Sequence, residues 1–183
     1  MLSRDTLADV FGEENIIALD FDDAVDVGLS ELDALLLSHV GLPSDIGTVF
    51  TTELVGSPGL FSVQSLDSPD GSPNSAIFLG APGSNQTMRY FLDVKNSLVV
   101  LCSLDDANPT AEVVNSSFSN FIDFIHRVGV YYHAEGMSPD EEMRSSRELV
   151  EHLKARDPYA FREPNSWWSM VISTIVEHAK GES

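Results

Sequence analysis

Asp20 and Asp22 close the apolar run Ile16-Ile17-Ala18-Leu19, and two carboxylates at a strand end can divide phosphoryl transfer between a nucleophile and a proton handler. A second acidic strand end, Leu98-Val-Val-Leu-Cys-Ser-Leu-Asp105-Asp106, has the character of a Mg²⁺-holding segment, with Lys95 nearby. The same first cluster also admits calcium: Asp20, Asp22, Asp26 and Glu31 fall at positions one, three, seven and twelve of a calcium loop. That loop needs Gly at position six for its sharp turn and a ligand at position five. Here they are Val25 and Ala24, so a dedicated calcium site is not expected.

The phosphoryl-transfer pattern resembles the first motif of haloacid-dehalogenase-type phosphatases. That resemblance implies a parallel sheet with helical crossovers between its motifs. The span from Thr48 to Leu104 reads instead as hairpins, and the Thr or Val expected two residues after the second Asp is Ala24. A Mg²⁺-dependent phosphatase is therefore the least favoured alternative. Other nucleophiles fare no better. Cys102 lies inside an apolar run, the setting of an inert thiol, and there is no Gly-x-Ser-x-Gly elbow. His39, His126, His133, His152 and His178 fall in no ligand spacing, and His126 and His133 are expected on the solvent side of a helix. Gly80-Ala-Pro-Gly-Ser84 lacks the Lys of a phosphate loop and reads as a hairpin connection. No catalytic residue, metal site or cofactor is expected.

The elements that must position these groups follow from periodicity. Ser3 caps a short helix with Leu7, Val10 and Phe11 inward, stopped by Gly12. Asn15 to Leu19 suits a strand. Ser30 opens a second helix whose inward face is expected to be Leu32, Leu35, Leu36 and Val40, with Gly41 as its stop. Leu60–Leu66, Ala76–Leu79, Met88–Val94 and Leu98–Leu104 are short apolar runs joined by turns too short for crossovers, hence an antiparallel meander. Asn115 or Ser116 then caps a long helix carrying Phe118, Phe121, Ile122 and Ile125 on one stripe. Ser138-Pro139-Asp140-Glu141 starts a helix to about Arg156, with a capping box and Pro at its first position. Asn165 or Ser166 opens the last helix, with Trp168, Val171, Ile172 and Ile175 inward and Trp167 about 100° away. Helices at both ends of a strand-rich middle give an α+β class: a curved, mostly antiparallel sheet flanked by helices. One domain over residues 1–183 is expected, with a core at about 1–134 and a C-terminal helical extension at about 138–180 packed on it.

Charge narrows the partner. Against 10 Lys and Arg stand 29 Asp and Glu, a net of −19, which disfavours nucleic acid and anionic membrane and favours a basic protein. Through His126 the only cations are Arg4, Arg89 and Lys95. Acidity thus concentrates in the first two thirds. A single cysteine excludes an internal disulfide, and neither a signal peptide nor an apolar run long enough to span a membrane is visible, so action in the cytoplasm is expected.

The order of motifs resembles the SUKH superfamily, and within it the fourth subgroup of bacterial immunity proteins. The resemblance rests on Gly41-Leu42-Pro43, Ile77-Phe78-Leu79-Gly80, Arg89-Tyr-Phe-Leu-Asp93, Leu98-Val-Val-Leu, Val114-Asn115-Ser116-Ser117 before Phe118 and Phe121, and Asp157-Pro158 before Trp167-Trp168. It covers about Leu7 to Ile175. It implies a non-catalytic protein that protects its producer by binding a polymorphic-toxin domain, often a nuclease or a nucleic-acid deaminase. A signalling or scaffold module of the same fold is the alternative. On the bottom-up reading, the contact surface is acidic: Asp67, Asp70, Asp105 and Asp106, together with Asp20, Asp22, Asp23 and Asp26. In this arrangement, Gly80 permits a close approach at a strand end and Asn115 serves as a helix cap.

Overall fold

The computed structural model describes residues 3–54, 58–67, 73–85, 87–103, 110–134 and 136–181. Ser3 caps α1 (Arg4–Phe11) through a reciprocal capping box with Thr6, and Gly12 ends it at φ 84°. A short strand, β1 (Ile16–Ile17), pairs antiparallel with β2 (Leu42–Pro43). Between them lie α2 (Phe21–Asp26) and α3 (Glu31–Leu35), the latter running on into a π-helical turn over Leu36–Val40. A small hairpin, β3 (Asp45–Ile46) with β4 (Phe50–Thr51), follows.

The main sheet comes next, in sequence order: β5 (Val63–Asp67), β6 (Pro73–Gly80), β7 (Met88–Asp93), β8 (Val99–Ser103) and β9 (Ala111–Asn115). Every pairing among the described strands is antiparallel. Register shifts at Phe78/Gly80 and Val99/Val100 mark bulges, which bend a strand and sharpen its twist. The meander leaves no room for the crossovers that a phosphatase sheet requires. Three helices close the chain: α4 (Phe118–His133), α5 (Pro139–Arg156) and α6 (Trp167–Ala179). The fold is α+β, an antiparallel sheet flanked by helices with a C-terminal helical segment.

The core forms where the inner sheet face meets α4. Ile77, Leu79, Tyr90, Leu92, Val99 and Leu101 point there, and Phe118, Phe121, Ile122, Phe124, Ile125 and Val128 answer from α4, all essentially without solvent exposure. Each such burial stabilises by about 1.5–3 kcal/mol. Trp168, Val171, Ile172 and Ile175 from α6 belong to the same cluster, as do Leu149 and Leu153 from α5. Among the described residues the opposite sheet face carries a small group, Ala76, Phe78 and Phe91, with Leu54 and Cys102 beside it.

Four local expectations are corrected. The strand read at Asn15–Leu19 shrinks to two residues, because Asn15 closes a 3₁₀ turn over Glu13–Asn15 and only Ile16 and Ile17 find partners in β2. The inward face here excludes Leu32 and Leu35, which are 63% and 41% exposed, while Asp33, Ala34, Leu37 and Val40 are buried and Leu36 packs partly buried against the core, as Leu36 and Val40 were expected to. The reason is polar. Asp33 accepts the Ser30 hydroxyl at 2.9 Å and also the Ser97 hydroxyl, which holds that carboxylate inward. The π-turn, closed by Gly41 N–H donating to the Leu36 carbonyl at 2.9 Å, then shifts the helical register before Val40. Third, Ala111–Asn115 is a fifth strand of the sheet rather than a lead-in to α4. Finally, Ser117 caps α4, its hydroxyl accepting the Asn120 N–H at 3.1 Å, so Asn115 is free for another role.

Candidate functional site

Asp20 begins α2 as its N-cap, the carboxylate accepting the Asp22 N–H at 2.9 Å. Asp22 and Asp23 follow in the first turn, where negative charge complements the helix dipole. Ala24 anchors the helix, fully buried, while Asp20, Asp22, Asp23, Val25 and Asp26 are exposed. None of these four acids forms an ion pair among the described residues. Helix rather than loop is therefore what replaces the calcium-loop layout, and no group of three or more metal-capable side chains converges among the described residues. Asp67 ends β5, its side chain not described, and Asp70, Asp105 and Asp106 lie outside the described residues.

The motif residues have structural duties that account for their types. Asp93 closes the β7–β8 turn. Burial alone would raise its carboxyl, but hydrogen bonds from the Asn96 side chain and N–H, the Asn74 amide and the Lys95 N–H outweigh it and hold the group below the usual range. Gly80, at φ 147°, leaves no space for a Cβ, which would fall 2.6 Å from the Thr51 carbonyl oxygen. Buried Asn115, Asp157 and Trp168 meet the exposed Ser116 in a hydrogen-bonded clasp. The Trp168 indole N–H donates to Asn115 Oδ1 at 2.9 Å, and the Asn115 amide donates to Asp157 at 3.2 Å. Ser116 gives Asp157 two more hydrogen bonds, at 2.8 and 2.9 Å. This clasp ties the start of α6 to the end of β9.

The candidate nucleophiles and bases are likewise placed. Cys102 is half-buried beside the outer-face aromatics, and burial pushes its thiol up, away from the reactive thiolate. His126 is not on the solvent side as expected: its Nε2 meets the Thr6 carbonyl at 3.1 Å, and burial keeps its pKa below the ordinary value. The ring is then neutral, with Nε2–H as the donor. His133 is exposed, its Nδ1 facing the Gly129 carbonyl at 2.9 Å. A cleft of about 530 Å³ collects Ser119, Asp123, Arg127, His152 and Arg156. Asp123 and His152 pair there at 2.7 Å, the contact a general base needs with its orienting group. Ser119, the hydroxyl in that cleft, accepts from Arg156 at 3.2 Å instead of donating to His152, so the arrangement lacks an activated nucleophile.

Sequence reasoning missed a set of exposed groups along α4 and α6. Tyr132 is 42% and Met170 48% exposed, over clefts bounded by the β3–β4 turn and α6. The signal was the doublet Tyr131-Tyr132, which must place one ring inward and one outward on a helix. Trp167-Trp168 behaves in the same way: Trp168 is fully buried and Trp167 half-buried against Tyr90, ring centroids 6.2 Å apart. No helix among the described residues is long and apolar enough to cross a membrane. A family model described as SUKH-4 immunity protein matches residues 2–174. No curated protein and no solved structure gives a significant match.

Proposed function

Because the chain belongs to the SUKH-4 immunity protein family, we propose that it protects its producing cell by binding a cognate toxin domain directly, one to one, without catalysis. The match over residues 2–174 carries this reading. Its finer part, a basic toxin that acts on nucleic acid, is supported by the net charge of −19 and by the exposed acids of α2. Asp20, Asp22, Asp23 and Asp26 are unpaired among the described residues and so remain available for an oppositely charged partner. In this proposal Asp67, Asp70, Asp105 and Asp106 also contribute to the contact with the partner. Exposed charges are screened beyond a Debye length of about 8 Å at physiological ionic strength, so association should slow as salt rises. The action takes place in the cytosol, with no nucleic acid or membrane as ligand. One folding unit over the whole chain is part of the proposal, supported by the shared core of sheet, α4, α5 and α6.

Co-expression tests it. The C-terminal domain of the protein encoded immediately upstream should kill cells when produced alone and be tolerated when this chain is present. Equal killing in both cases, with no complex at low salt, would favour the non-catalytic scaffold alternative.

A further inference from the structure

Two clefts meet along one side of α6. The larger, about 500 Å³, lies between Ile46 of the β3–β4 hairpin, Tyr132 at the end of α4, and Thr174 and His178 on α6. The smaller, about 300 Å³, continues past Tyr132 to Trp167 and Met170. Thr48, Tyr132 and Thr174 line both, so together they make one groove following α6 from Trp167 to His178. At 1.5 Å per helical residue this is roughly 16 Å, room for a few turns of helix or about five residues of extended chain.

The floor of the groove is core and its walls are not. Ile46 and Ile175 in the larger cleft and Val171 in the smaller are 2%, 1% and 9% exposed, whereas Tyr132, which lines both, and Met170, which lines the smaller, are 42% and 48% exposed. Tyr, Trp and Met over a rigid apolar floor are the side chains that carry protein interfaces. The rim is acidic. Asp45 and Glu177 line the larger cleft, and Glu142 stands behind it, meeting the Tyr131 hydroxyl at 3.4 Å and His178 at 3.8 Å. Neither cleft has a Lys or Arg among its described lining residues. A second copy of the chain would press the same acids, and another −19, against this rim.

We propose that the groove is the socket that holds the toxin: it takes a toxin segment whose apolar side chains enter beside Tyr132 and Met170 and whose flanking Lys or Arg meet Asp45 and Glu177. This rests on the toxin-binding reading above and adds a division of labour. The α2 acids raise the rate of encounter, while the groove sets the lifetime of the complex.

The test uses the full-length protein and the C-terminal domain of the protein encoded immediately upstream, purified with its activity disabled, in a kinetic binding assay. Met170→Asp and Tyr132→Ala, both at exposed positions, should each raise the dissociation rate at least tenfold with the melting temperature unchanged. The combined Asp20→Asn, Asp22→Asn, Asp23→Asn and Asp26→Asn variant should slow association and leave dissociation within about twofold. If the wild-type protein binds and both groove variants dissociate at its rate, the socket is overturned and the toxin reading stands. An absence of wild-type binding sinks both. A dimer by sedimentation that Met170→Asp splits would make a second copy the occupant and overturn the proposal. Should the variants not fold, hydrogen exchange on the wild-type complex decides. Protection of the amides of residues 45–49 and 167–178 upholds the socket, and protection confined elsewhere refutes it.

Discussion

Asn115→Ala is the substitution whose cost can be worked out most directly from the structure. Asn115 and Trp168 are both fully buried, and the indole N–H donates to Asn115 Oδ1 at 2.9 Å. Truncation leaves that N–H without a partner and out of reach of water, which costs about 1–3 kcal/mol. It also removes the Asn115 hydrogen bond to Asp157, 3.2 Å long, whose carboxylate keeps two bonds from Ser116, so about 1 kcal/mol more is lost. The sum is about 3 kcal/mol, a large share of the roughly 5–15 kcal/mol that holds a domain folded. At about 2–4 °C per kcal/mol for a chain of this size, the midpoint should fall by roughly 6–12 °C. A thermal melt measures that shift, and urea unfolding followed by far-ultraviolet circular dichroism and by tryptophan fluorescence measures the free-energy loss. In a Trp168→Phe background the orphaned donor no longer exists, so Asn115→Ala should then cost only about 1 kcal/mol, a coupling of about 2 kcal/mol. A loss below about 1 kcal/mol in the wild-type background, or strict additivity of the two changes, would refute the clasp. The two signals also report on docking of the tail, since both tryptophans sit on α6. A fluorescence transition that precedes the dichroism transition would contradict the proposal of one folding unit.

Two further tests address packing and pH. Gly129→Ala should destabilise by about 1–2 kcal/mol although Ala is the better helix former, because its Cβ would sit 2.2 Å from the Phe11 ring; calorimetry should show Phe11→Leu recovering part of the loss. His126, whose pKa burial lowers, binds its proton more readily in the unfolded chain, so its contribution is present above a pH of about 6.5 and lost as pH falls through the folded value. His126→Gln, which can still donate to the Thr6 carbonyl, should flatten the fall in melting temperature on acidification; an unchanged slope would show that His126 titrates alike in both states.

Legibility in the sequence tracked how local each signal was. The stripe Phe118, Phe121, Ile122 and Ile125 and the Ser138–Glu141 capping box are contained within one or two helical turns, and both stand as expected. The face of α3 was misjudged because its orientation depends on Ser97, 64 residues away from Asp33. Asn115 read as a cap because its true partners, Asp157 and Trp168, lie 42 and 53 residues on. Exposure of the α2 acids was legible from composition. The groove was not, since its walls come from a hairpin, the end of α4 and one side of α6, and no single segment shows more than an aromatic doublet.

The β3–β4 turn is held from behind through its own main chain, whose Thr48 and Val49 carbonyls also accept the Ser84 and Tyr90 hydroxyls at 3.2 and 2.9 Å. Ser84 N–H donates to the Thr48 carbonyl at 3.2 Å, Thr51 and Ala81 exchange backbone hydrogen bonds at 2.8 and 2.9 Å, and Gly83 packs so close that a Cβ there would lie 1.9 Å from the Gly47 carbonyl oxygen. An attachment of that kind does not depend on the side chain displayed at Thr48, whose carbonyl is what is held. Thr48 is exposed and contributes its carbonyl to the hold, so another residue there alters the chemistry shown to the outside while the frame stays anchored. Glycine at position 83 is the fixed term and the side chain at 48 the variable one. A lineage that keeps the first can change the second repeatedly, following a partner that itself drifts, without refolding anything.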